Sequence, residues 1–226
     1  MYKYLVILIL FSFVLCFCDK DQKTIIIPSI KEKINPSLKE PIFVIDSTII
    51  TDFVELITSK GILKIGLYGN DAPITVDNFL GLVKRNYYNG VLIHRVARDF
   101  IIQTGDGFTR DKNNEKNWGY GGESIYGHEF ADEINENSAL FREGYIKGTV
   151  AMANSGKNSN KSQFFFCLED AMYIDHNYTI FGRVISGIDV LDQICDVEVI
   201  PSERGKYDGL PKIPIKIINA RIINFK

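Results

Sequence analysis

The sequence predicts a mainly β domain, an antiparallel barrel capped by two helices. Three observations carry this: many short apolar runs separated by Gly- and Asn-rich loops, two stretches with helical spacing, and a long apolar C-terminal run. The first element is a hairpin. Phe53-Val54-Glu55-Leu56-Ile57-Thr58 and Ile62-Leu63-Lys64-Ile65-Gly66-Leu67-Tyr68 flank the turn residues Ser59-Lys60-Gly61. Asp71-Ala72-Pro73 then opens a stretch with Val76, Phe79, Leu80 and Val83 on one helical face, Asp and Pro suiting its first turn. A second helix is predicted from Ile188, Leu191, Ile194 and Cys195. The run from Ile215 to Phe225 predicts a long strand buried on much of both faces.

Size and charge narrow the functional classes. The 226 residues include 46% hydrophobic, 12% aromatic and 24% charged residues, which suits one globular domain with chain to spare. A formal net charge of −2, with no basic or acidic block, points away from nucleic acid as a partner. The N-terminus is different in kind. Lys3 precedes an uncharged run from Tyr4 to Cys18, and the first charge after it is Asp19. A basic residue followed by a short apolar run and then small side chains predicts a secretory signal peptide over 1–18. The alternative is an uncleaved signal anchor, since the run is just short of a comfortable membrane span of ~20 residues. Residues 19–50, with Pro28, Pro36 and Pro41, predict a tether, with a short strand near Ile42–Ile45. The remaining 51–226 form the folded domain. Cys167 and Cys195 are expected in the core, and a bridge between them stays open as an alternative.

The chemistry is carried by His94-Arg95-Val96-Ala97-Arg98-Asp99-Phe100-Ile101-Ile102-Gln103-Thr104-Gly105-Asp106 and by Met152-Ala153-Asn154-Ser155-Gly156-Lys157-Asn158-Ser159-Asn160-Lys161-Ser162-Gln163-Phe164-Phe165-Phe166. Gly121-Gly122-Glu123-Ser124-Ile125-Tyr126-Gly127 and Phe181-Gly182-Arg183-Val184 complete the pattern. With these four motifs in order, the chain from about Phe53 to Phe225 resembles the cyclophilins. The resemblance implies a closed eight-stranded barrel and peptidyl-prolyl cis-trans isomerase activity on Xaa-Pro bonds. It implies no cofactor and no metal; the expected partners are proline-containing segments of proteins, bound by a monomer. The rival reading is a catalytically weak proline-peptide-binding module or chaperone with the same groove.

By the same resemblance Arg95 is the catalytic arginine, and Gln103 holds the substrate carbonyl and helps orient it. Phe100, Ile101 and Phe165 line the proline pocket, with Ile174 at its side. Ala153, Asn154 and Gln163 carry the substrate backbone along the groove. Composition alone would make the three apolar residues ordinary core and Arg95 a surface cation. His94 is read as a hydrogen-bonded structural histidine. Gly121-Gly122 lacks the Lys-Ser/Thr pairing of a phosphate loop and is read as groove wall.

The pattern departs from the family at three places. Tyr173 stands where many members have Trp, which implies weak cyclosporin binding. Tyr178 replaces a His on the rim, keeping an aromatic wall without a group that charges near neutral pH. Ile101 replaces a flexible Met with a stiff branched side chain. Two sequons, Asn160-Lys161-Ser162 and Asn177-Tyr178-Thr179, fall beside the expected groove and would matter on the secretory route. The expected location is the endoplasmic reticulum lumen or the exterior, or a membrane if the first segment is kept. The C-terminal Ile223-Asn224-Phe225-Lys226 is not a retrieval signal of the KDEL type.

Overall fold

A computed structural model describes residues 50–171 and 174–224. The predicted signal segment, nearly all of the tether, Tyr173 and Phe225 lie outside the described residues. Ten strands form one antiparallel sheet: β1 (Asp52–Thr58), β2 (Gly61–Leu67), β3 (Arg95–Ala97), β4 (Ile101–Thr104), β5 (Thr149–Met152), β6 (Phe164–Cys167), β7 (Ile180–Ser186), β8 (Val199–Ser202), β9 (Gly205–Pro211) and β10 (Ile217–Ile223). Their spatial order is β10-β1-β2-β7-β5-β6-β4-β3-β9-β8. Among the described residues there are therefore ten strands, not eight. The additional pairing is the β8–β9 hairpin. Pro201, Gly205, Gly209 and Pro211 interrupt any apolar alternation there, so its strands left no periodic signature.

The predicted hairpin is β1–β2, with Thr58 opposite Gly61 and a two-residue turn between them. The first helix, α1 (Pro73–Lys84), begins on its proline and buries Val76, Phe79, Leu82 and Val83. A five-residue helix, α2 (Ala139–Glu143), adds to the two predicted helices; Ser138 Oγ caps it by accepting from the Phe141 N–H at 3.0 Å. The second predicted helix is α3 (Ile188–Cys195), which buries Val190, Leu191 and Ile194. Cys195 at its end is half-buried, and both Cys167 and Cys195 are free thiols. Among the described residues no helix is long and apolar enough to cross a membrane.

The final strand differs from its expectation. In β10, Ile217 and Ala220 are buried, but Arg221 is exposed and Ile218 and Ile222 are 55% and 38% exposed, so the strand is not buried along both faces. Ahead of β3, residues 90–93 run antiparallel to the start of β10. Gly90 N–H donates to Ile217 O at 2.8 Å, Ile217 N–H to Val91 O at 2.8 Å and Ile93 N–H to Ile215 O at 2.9 Å. These bonds join the β3 side of the sheet to the strand at the other end of the order.

The core sits between α1 and the inner face of the sheet. Phe79 of α1 packs on Tyr88, Phe164 and Phe181 with ring centroids 5.1, 5.3 and 5.2 Å away. Strand alternation then creates a second apolar layer. In β6, Phe164 and Phe166 enter the main core, while Phe165 and Cys167 point to the opposite face. The same split places Val150 and Met152 of β5 inside and Ala151 outside, and Ile102 of β4 inside and Ile101 outside. This outer layer holds the candidate site.

Candidate active site

The outer cluster gathers Ile101, Phe165, Ala97, Ala151, Cys167, Ala171 and Tyr145, with Phe100, Ala153, Ile174, Tyr178 and Ile180 packed partly buried against them. Six of the residues expected at the site are thus in one apolar cluster. Its floor is rigid because β4, β5 and β6 are buried on both faces; Phe165 is 4% and Ile101 5% exposed. Tyr178 forms a wall, its ring edge-on to Phe165 at 5.5 Å.

Tyr145, which the sequence reading did not single out, holds that wall. Its hydroxyl donates to Tyr178 O at 2.8 Å and accepts from Tyr178 N–H at 3.1 Å. Burial raises its pKa to about 12. Burial likewise pushes the Cys167 thiol up to about 12, so the pocket contains no ready nucleophile at this cysteine.

The polar side of the site is built by β3 and β4. Arg95 and Gln103 are cross-strand partners, and the turn between their strands carries Asp99 at φ 57°. Gln103 Nε2 donates to Gln163 Oε1 at 2.8 Å. Gln163 Nε2 in turn donates to Gly119 O at 2.9 Å and Gly121 O at 2.7 Å. A chain of amides therefore runs from β4 through Gln163 to the glycine loop. Asn154 Nδ2 donates to Asn177 O at 2.8 Å, and Ala153 N–H to Gln163 O at 2.9 Å, fixing the edge beside them. Arg95 binds none of these amides. Its Nε and Nη2 donate to the two carboxylate oxygens of Asp208 on β9, at 2.8 and 2.7 Å.

Asp106 anchors the glycine loop. It is fully buried, and its Oδ1 accepts from Phe108 N–H at 2.8 Å. Its Oδ2 accepts from Gly119 N–H at 2.6 Å and Gly121 N–H at 3.2 Å. A Cβ on Gly121 would stand 2.2 Å from Oδ1, so only glycine lets the loop approach this carboxylate. Asp106 lies inside the first motif; its signal was the motif itself. Asp208 and Tyr145 carried none, being brought to the site by distant pairing.

His94 is buried in a structural position, with the Gln163 side chain and the Leu92 backbone as its polar neighbours. Neither ring nitrogen has a geometric partner, and both are buried. Burial lowers its pKa to about 4, opposed by the Asp106 carboxylate and by the neighbouring Gln163 side chain and Leu92 backbone. The two sequons separate cleanly. Asn160 is fully buried, with Nδ2 donating to Phe130 O at 3.2 Å and Asp132 Oδ1 at 2.8 Å, so the folded domain offers it to no glycosylating enzyme. Asn177 is exposed.

Fold and site together define a cyclophilin-like β domain: an apolar pocket on the outer sheet face, with an arginine fork at its polar edge. The family model for "Cyclophilin type peptidyl-prolyl cis-trans isomerase/CLD" matches residues 53–222. Peptidyl-prolyl cis-trans isomerase ppi1 of Schizosaccharomyces pombe is 44% identical over 167 residues, spanning 74% of this chain and 96% of that protein. Peptidyl-prolyl cis-trans isomerase-like 3 of Homo sapiens is 38% identical over 165 residues, 73% of this chain and 93% of its own length. Among solved structures, a cyclophilin type peptidyl-prolyl cis-trans isomerase of Cryptosporidium parvum aligns with a TM-score of 0.65 and 32% identity, covering 77% of this chain and 99% of that one. The same parasite protein, crystallised in the presence of the dipeptide Ala-Pro, aligns with a TM-score of 0.64 and 32% identity, covering 76% of this chain and 99% of that one. The chain belongs to the cyclophilin-type peptidyl-prolyl cis-trans isomerase family and is an isomerase.

Proposed function

We propose that this isomerase acts on exposed Xaa-Pro segments of proteins on the secretory route, with the proline ring in the Phe100/Ile101/Phe165/Ile174/Tyr178 pocket and Arg95 as the catalytic group. Rotation about a prolyl bond meets a barrier of ~18–20 kcal/mol, much of it lost amide resonance. As the bond twists, the nitrogen becomes pyramidal and gains a lone pair. A fixed cationic N–H donor aimed at that nitrogen favours the twisted state over both planar ones. Arginine suits the task because it stays charged and presents its donors in a rigid fork. The observation that carries this reading is Arg95 at the edge of the apolar cluster, directly across from Gln103.

Gln103 would take the substrate carbonyl through the atoms that Gln163 leaves to it. Ala153 and Asn154 would guide the extended backbone, and Tyr173 and Tyr178 would set cyclosporin affinity low. The parasite homologue's crystallisation in the presence of dipeptide Ala-Pro supports proline peptides as partners. We also read the sheet as a closed barrel, its seam being the ladder between residues 90–93 and 215–217. The secretory location is supported by Lys3 and the uncharged run from Tyr4 to Cys18. Uncatalysed isomerisation takes ~10–100 s, slow enough to limit folding there.

The decisive experiment is an isomerisation assay on an Xaa-Pro peptide with the unmutated protein and Arg95→Ala. Loss of nearly all activity in Arg95→Ala, with an unchanged circular dichroism spectrum, is expected. A folded Arg95→Ala that keeps full turnover would overturn the assignment. Mass spectrometry of the mature N-terminus, expected to begin at Asp19, tests the secretory part.

A further inference from the structure

Asp208 stands on β9 opposite Ala97 of β3, beside the strand that carries Arg95. The two residues are 113 positions apart in sequence. Their ion pair is shielded, with side-chain exposures of 20% for Arg95 and 14% for Asp208. The carboxylate engages the fork side-on, through Nε and Nη2. Two of the five guanidinium N–H groups are thereby used, and both lie on one edge; the three at the end of the fork stay available. Among the described residues the Arg95 side chain hydrogen-bonds to Asp208 alone, and the Gln103 amide oxygen, the acceptor that could also hold it, makes no bond to it.

We propose that Asp208 is the positioning residue of the active site, holding the Arg95 fork so that its free end faces the prolyl nitrogen. An arginine has enough rotamer freedom that an unheld side chain spends little time at any one aim. A donor that acts only on the twisted bond must be aimed before the bond twists, or its orientation is lost from the gain. A bidentate carboxylate fixes both the position and the plane of the guanidinium, which a single hydrogen bond cannot do. The β8–β9 hairpin thus has a catalytic purpose. It brings Asp208 to Arg95 and walls a cavity of about 210 Å³ beside it with Ser202, Arg204 and Leu210.

The inference rests on Arg95 being the catalytic arginine, so the experiment carries both residues. The full-length protein, Asp208→Ala, Asp208→Glu, Arg95→Lys and Arg95→Lys/Asp208→Ala are compared by kcat, KM and Tm on one Xaa-Pro peptide. Asp208→Ala is expected to lower kcat about tenfold with KM within about twofold, because only the twisted state loses its donor. Asp208→Glu, which keeps the charge and both oxygens, is expected to recover part of that loss. On the Arg95→Lys background, where the bidentate fork is gone, Asp208→Ala is expected to add no further loss. Unchanged or raised kcat in a folded Asp208→Ala overturns the proposal, as does an equal loss on both backgrounds, which would mark a merely structural role. Full activity in Arg95→Lys and Arg95→Ala would instead remove the catalytic reading of Arg95, and the positioning role with it.

Discussion

His94 makes the acid limb of stability a measurable consequence of one ring. Its nitrogens are buried and unpartnered, and its pKa falls from 6.5 to about 4. The folded domain therefore keeps the ring neutral where the unfolded chain protonates it. Stability is unaffected above pH 6.5, falls as pH drops from 6.5 to about 4, and levels off for this group below that. Each pH unit between the two values is worth about 1.4 kcal/mol, so the full loss is about 3 kcal/mol, of which about 2 kcal/mol is gone by pH 5. Asp106 and Arg95 already act on the ring within the value of about 4. The assay is denaturant unfolding at fixed ionic strength from pH 8 to 4.5, for the wild type and His94→Phe. Phenylalanine keeps a planar ring of similar bulk at this buried position and removes its titration. His94→Phe is expected to flatten the slope between pH 6.5 and 5 by about 2 kcal/mol. His128 and His176 are common to both proteins and cancel in the difference. Parallel slopes for the two proteins in that window would refute the buried neutral ring.

Two further outcomes follow from the site's supports. Tyr145→Phe removes the hydroxyl that both donates to and accepts from the Tyr178 backbone; the expected cost is about 1–2 kcal/mol, seen as a Tm lower by roughly 3–6 °C together with a raised KM, and an unchanged Tm and KM would contradict the role given to this hydroxyl. Gly121→Ala sets a methyl 2.2 Å from Asp106 Oδ1 and 2.7 Å from the Phe108 ring, so the loop must move and carry Gln163 with it; a loss of about 2–3 kcal/mol in urea unfolding and a raised KM are expected, and a variant as stable as the wild type would show that the loop is not held by that carboxylate.

Local periodicity explains what the sequence disclosed. The β1–β2 hairpin, α1 and α3 each announce themselves within a dozen residues by turn chemistry or helical spacing. The apolar cluster of the candidate site was legible only through its motif. Phe164-Phe165-Phe166-Cys167 has no polar residue to mark a face, because β6 is buried on both, and period two alone decides that Phe165 and Cys167 face the site. Asp208 could not be found this way. Its strand lacks alternation, and its partner lies 113 residues upstream, so only the pairing of β3 with β9 creates the contact. Asn160 shows the reverse failure, a readable sequon whose side chain the fold consumes internally. The two-faced reading of β10 failed because apolar content was taken for burial, whereas Ile218 and Ile222 face solvent.

The double burial of β4, β5 and β6 also determines where substrate preference can change. Phe165 and Ile101 are shared between the proposed peptide pocket and the packing that holds three strands together. Truncating Phe165 would leave a cavity costing about 3–5 kcal/mol, a large part of the stability of a domain this size. Such a floor is already ordered before a peptide arrives, so binding need not organise it. The same rigidity removes it as a place to tune recognition, because any change of shape is felt first as lost stability. Phe100, Ile174 and Tyr178 are only partly buried, and their side chains can vary without opening the core. Differences in the residue accepted beside proline should therefore arise at these walls and not at the floor. Tyr178 fits that division: its ring packs on Phe165 in the proposed pocket, while its backbone is held by Tyr145, so the side chain can be exchanged while that backbone anchor stays.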